Sequence, residues 1–135
     1  MGSFTDTLEN ELLDHICRNE TWTQPAVVYS ALFTVIPSDT TGGTEVTQAS
    51  SGYTRIASTF VTAGLTSTGR TSNSGAVNFT TVAGGATLTI VGWGLISTAT
   101  YGSGTLICWA TVTSTVLNVG DQATFPAASI VITLD

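Results

Sequence analysis

The stretch "AVVYSALFTVI", residues 26–36, lies between Pro25 and Pro37 and is interrupted by only two small polar side chains, Ser30 and Thr34. Its β-branched and aromatic content, with a proline at each border, predicts a strand rather than a helix. The same reading extends down the chain. Strands are expected over 53–61 ("YTRIASTFV"), 76–82 ("AVNFTTV"), 87–97 ("TLTIVGWGLIS"), 104–112 ("GTLICWATV") and 129–134 ("SIVITL"). Further extended runs flank Gly120-Asp121 in "VLNVGDQATF". Between them lie polar, glycine-bearing loops at 37–52 and 65–75, and "TATYGSG" (98–104) reads as a hairpin loop. Gly92 and Gly94 flank Trp93 inside a strand, the mark of a bulge or of close backbone approach.

Six or seven short strands at this spacing predict a mainly β fold, an antiparallel β-sandwich or a small barrel, with one short N-terminal α-helix. The chain is expected to be a single domain over 1–135, with an N-terminal arm and helix in 1–20 and a β-domain in 21–135. Tyr29, Leu32, Phe60, Trp93, Trp109 and Ile130 are the expected core.

The helix is expected over residues 6–19. Asp6 followed by Glu9 gives a capping-box-like start, early acids suit the positive end of the helix dipole, and Asn19 suits a left-handed cap. Leu8, Leu12, Leu13, Ile16 and Cys17 fall at helical spacing as one apolar stripe. Isolated helices this short are marginal in water, so the stripe needs something to bury against. Its own sheet is the favoured cover, which leaves Gly2, Ser3, Phe4, Thr5 and Asp6 to reach a neighbouring molecule as candidate interface residues.

Composition narrows the functions. Of 135 residues only 9% are charged, against roughly 25% in an ordinary soluble domain. There is no Lys, only three Arg, and a net charge of −6. That balance argues against nucleic acid and against an anionic membrane surface, both of which select clustered basic residues. Nowhere do 18 apolar residues run together, and "MGSFTDTLEN" has neither the basic nor the apolar region of a secretory signal. Thr supplies about one residue in five. A surface so poor in charge suits close contact with copies of itself or with a larger assembly, because few charges need to be stripped of water.

The one place with catalytic residue types is "LLDHIC", where Asp14, His15 and Cys17 lie within four positions. On a helix His15 points about 100° from Asp14 and about 200° from Cys17, so the three cannot converge on one atom. No second histidine exists to activate a thiol. Zinc needs three or four ligands that the chain does not offer at usable spacing. The expectation is therefore no catalytic residues, no cofactor and no metal site, with both cysteines as small buried thiols. Trp22, Trp93 and Trp109 raise a carbohydrate-stacking alternative, but they are far apart in sequence, and packing is the simpler role.

Several segments together resemble a family of small tailed-phage virion structural proteins. They are a Leu-Asp-His helix, a "TxPxxxYxALxT" strand carried by Pro25, Tyr29, Ala31, Leu32 and Thr34, and a Gly-Tyr-x-Arg strand at Gly52, Tyr53 and Arg55. The last is the ending "GDxxxFPAxxxxITLD", from Gly120 and Asp121 through Phe125, Pro126 and Ala127. The likeness covers nearly the whole chain, and the order of the pieces carries it. It departs at "VGWGLISTATYGSGTLICWA", where that family more often has an aromatic-Asp pair before the hairpin. The resemblance implies a virion component, assembled in the host cytoplasm. Low charge and acidity favour a capsid decoration or cement protein on the shell exterior. Its partners would be the major capsid protein or another virion protein and further copies of itself, as a trimer at three-fold positions. The alternative is a tail, collar or tail-fibre component, and more distantly a lectin-like module. With a single unpartnered histidine, His15→Ala should leave particle assembly within a small factor of wild type. A metal- or thiol-dependent turnover abolished by His15→Ala or Cys17→Ala would contradict this.

Overall fold

The computed structural model describes residues 2–65, 67–85 and 87–134. In chain order the elements are β1 (Gly2–Phe4), α1 (Asp6–Arg18), β2 (Val28–Val35), β3 (Thr44–Glu45), the single turn α2 (Gln48–Ser51), β4 (Ile56–Ser58) and β5 (Arg70–Ser72). They continue with β6 (Val77–Asn78), β7 (Leu88–Ile96), β8 (Leu106–Leu117), β9 (Thr124–Phe125) and β10 (Val131–Thr133). The fold is mainly β with antiparallel pairing throughout. It is an open sandwich rather than a barrel: the main sheet runs β1-β8-β7-β2-β3, with β4 also on β2, and two small two-stranded ladders, β10-β5 and β6-β9, stand apart from it.

The quoted strand lies inside the main sheet. Ser30, Ala31, Leu32 and Phe33 are all buried, so β2 is covered on both faces. Leu32 belongs to the large core, with Trp93, Leu95 and Cys108 of β7 and β8 and with Val77, Phe79 and Ile130. Ala31 and Phe33 alternate to a smaller cluster with Ile96 and Leu106. Even the polar Ser30 finds a partner, since its hydroxyl lies 2.7 Å from that of Ser58 on β4. In the large core Phe79 stacks on Tyr53 at 6.1 Å and meets Phe125 edge-on at 6.2 Å.

The bulge expected in the Gly-Trp-Gly strand is present. β8 carries three residues, Val112 to Ser114, opposite the single Val91, because Ile90 pairs with Thr115 and Gly92 with Thr111. At Gly94 a side-chain carbon would come within 2.8 Å of both Leu106 and Phe33.

The core forecast needs correction at three positions. Leu32, Trp93 and Ile130 are buried, but Tyr29, Phe60 and Trp109 are only half-buried. Trp109 adjoins the short edge strand β1, where Ser3 is its register partner, and its indole N–H donates to Asp39 Oδ1 at 3.2 Å. Among the described residues there are ten strands rather than six or seven, and the extra ones are two or three residues long. The stretch 65–75, expected to be loop throughout, contains β5 at Arg70–Ser72, opposite β10.

The Asn73 side chain binds this second layer to the turn before β10. Its amide N–H groups donate to the carbonyls of Gly75 and Pro126, both at 2.8 Å, and its oxygen accepts from Ile130 N–H at 2.8 Å. The turn so held includes Ala128 at φ 61, a left-handed conformation that costs a non-glycine residue energy. Asp121 has a local role as well: its carboxylate accepts from the Asn118 N–H at 2.8 Å. The terminal Asp135 of the "ITLD" ending lies outside the described residues.

The N-terminal arm does not project freely. Gly2, Ser3 and Phe4 pair with Ala110, Trp109 and Cys108 of β8, so the arm's backbone is used within its own sheet. Thr5, not Asp6, caps α1: its hydroxyl accepts from Leu8 N–H at 3.5 Å and donates to the Leu106 carbonyl at 2.7 Å. Removing residues 1–7 would therefore take away a strand and a helix cap together with any contact to a neighbour.

Candidate interaction surface

α1 forms where Thr5 supplies its cap and stops at Asn19, which adopts φ 55. The His15 ring reinforces that end, its Nδ1 donating to the Glu20 carbonyl at 2.9 Å. Asp14 pairs instead with Arg18 at 3.1 Å, and Cys17 is exposed. The structure thus separates the three groups, and none of them shares a target. Cys17 also corrects the expectation of two buried thiols. Cys108 alone is buried, and that burial pushes its thiol up to about 12. No group of three or more metal-capable side chains occurs among the described residues.

The helix is joined only loosely to the sheet. None of its residues is buried; Leu13 and Ile16 are 58% and 69% exposed, while Leu8 and Leu12 are half-buried. The expected burial of the stripe on its own sheet is only half realised. Beneath Leu8 and Leu12 runs an open groove of about 720 Å³, walled by Phe4 of β1, by Trp22 and Trp93, and by β10. All three tryptophans border it. This convergence was hidden in the sequence, because Trp22, Trp93 and Trp109 arrive from a linker and two separate strands.

Along the same helix lies a second, polar hollow of about 450 Å³, lined by Glu11, Asp14, Arg18, Glu20 and again Trp22. Trp22 lines both, so the apolar groove and the acidic hollow adjoin at its side chain. Arg18 spends its charge inside the hollow, 3.1 Å from Asp14 and 3.5 Å from Glu20. Of the residues expected at an interface, Ser3 and Phe4 line the groove, Thr5 is buried, and Asp6 is exposed at the start of the helix. Gly2 contributes its backbone to β1.

A family model described as "Podophage GP4 fiber I protein gp80" matches residues 3–133. The chain belongs to this family. It is a phage virion structural protein, as the resemblance implied at the coarser level. No curated protein matches the chain. The family match spans both the helix and the sandwich, so the groove between them lies inside the shared unit. Among the described residues no helix is long and apolar enough to cross a membrane.

The contrast between the thiols is directly testable. An alkylating reagent should modify Cys17 in the folded protein within minutes and Cys108 only after denaturation, giving one adduct by mass spectrometry. Equal modification of both in the native state would contradict the burial of Cys108.

Proposed function

We propose that the chain is a non-enzymatic building block of the phage fibre that attaches to other virion proteins through the face formed by α1, β1 and the groove. The observation that carries this reading is the family match, which covers helix and sandwich together and whose description is a fibre protein. The geometry supports it. The chain presents an apolar groove and a half-covered helix, and its potential nucleophile, base and acid are kept apart.

The fibre description favours the tail-side alternative over capsid decoration, for which the low charge was the main argument. Low charge suits any closely packed virion part. Self-association, with a trimer as the simplest closed arrangement for a fibre, fits the Thr-rich and nearly uncharged exterior. It also fits the exposure of Leu13 and Ile16 on the helix and of Leu134 near the C-terminal strand.

Location and copy number test the reading. Quantitative mass spectrometry of purified virions, with gold-labelled antibody imaging, should find a handful of copies confined to the tail. Hundreds of copies spread over the head would overturn the fibre assignment in favour of shell decoration.

A further inference from the structure

The groove and hollow together specify the chemistry of what they hold. We propose that they form a docking site for a short amphipathic segment of another virion protein, carrying aliphatic side chains into the groove and a Lys or Arg into the acidic hollow. The inference rests on the structural role proposed above and adds the nature of the partner.

Charge argues it first. Asp6, Glu9, Glu11, Asp14 and Glu20 are five of the chain's nine acidic residues, and Arg18 is the only cation among them. Within the hollow Glu11, Asp14 and Glu20 face that single Arg18, leaving two negative charges uncompensated. A second copy is poorly equipped to supply the missing cation. The chain has no Lys, and Arg55 is buried against Glu45. Arg18 already occupies the hollow, and Arg70 is half-buried with its Nε shielded and without an acceptor. This scarcity of free cations in the chain favours a different protein as their source.

Size and polarity argue it next. A groove of about 720 Å³ has the size to accommodate a few side chains of a partner segment. Phe4, Leu8, Leu12 and Trp22 make its walls apolar, with Glu9 at the rim. This is the arrangement in which an amphipathic segment lays apolar anchors into a groove and sets its charges along the edge. Trp93, 4% exposed, adds its ring to the same groove.

The test uses the full chain and three synthetic peptides of about 14 residues with helical spacing. One combines Leu with Lys, one Leu with Glu, and one Ser with Lys. Binding is followed by tryptophan fluorescence and by calorimetry. The Leu–Lys peptide should bind at least about tenfold more tightly than either other peptide, and its affinity should fall as salt is raised. Glu11→Gln combined with Glu20→Gln should weaken it about tenfold, as should Leu12→Asp or Trp22→Ala, with unchanged circular dichroism. Equal binding of the Ser–Lys peptide would reduce the site to unspecific charge attraction and overturn the proposal. Equal binding of the Leu–Glu peptide would remove the role of the acidic hollow. Sedimentation showing that a second copy fills the groove, blocked by Leu12→Asp, would replace the partner by the chain itself. These outcomes do not depend on where the protein sits in the virion, so a failed peptide assay beside a confirmed tail location separates the two proposals.

Discussion

The sandwich is held in register by one buried ion pair. Glu45 on β3 receives Arg55 through two parallel bonds, Nε to Oε1 at 2.8 Å and Nη2 to Oε2 at 2.7 Å. Their side chains are 3% and 11% exposed, so the attraction is little screened by solvent. Taking both charges out of water is costly, and only a fully satisfied network offsets that cost. The chain provides it. The third guanidinium nitrogen of Arg55 donates to the carbonyls of Thr98, Thr100 and Ser103 at 2.9, 2.7 and 2.8 Å. The Tyr53 hydroxyl donates to Glu45 at 2.9 Å and accepts from the Leu32 backbone at 3.0 Å. Burial, with the carboxylate beside it, holds that phenol far above its usual range, so it remains a donor. Hydrogen bonding to Glu45 likewise raises Arg55, so the guanidinium keeps its charge. One cluster thus joins β2, β3, the segment before β4 and the loop between β7 and β8.

This arrangement explains why the Gly-Tyr-x-Arg segment and the acidic "GGTEV" loop occur together in the sequence. Gly43 sits at φ 65, where an added side-chain carbon would come 2.5 Å from the Val35 carbonyl, and so delivers Glu45 to the edge of β2. Tyr53 and Arg55 come from the opposite direction, out of the short turn α2. The hairpin loop held by Arg55 shows Tyr101, Gly102 and Ser103 to solvent while its backbone is anchored from beneath. Arg55 holds this loop through backbone carbonyls, which any residue can offer.

Legibility in the sequence followed element length. β2, β7 and β8 were readable because their apolar runs are longer than any turn and rich in Val, Ile and aromatic residues. β3 and β5 are two or three residues long and wholly polar, so their strand character comes from their partners, whereas β6 and β9 fall inside stretches readable as extended. α1 was readable from its spacing, and Asn19 from its tolerance of a left-handed cap. The cap at Thr5 was missed by one position because Asp6 and Glu9 imitate the same signal. The Arg55 clamp was not readable: its acid is ten residues away and its carbonyl partners more than forty. The groove was equally hidden, since it exists only where β10, β1 and α1 meet beside Trp22.

The central claim is that the Glu45–Arg55 pair fastens the β7–β8 loop and the β3 edge to the sheet. Arg55→Met, followed by urea unfolding and by amide hydrogen exchange over residues 97–105, tests it most directly. Leaving Glu45 as an uncompensated buried charge should cost about 3–5 kcal/mol. Amide exchange in the loop should accelerate well before the rest of the sheet opens. A loss below about 1 kcal/mol with unchanged exchange in the loop would contradict the account.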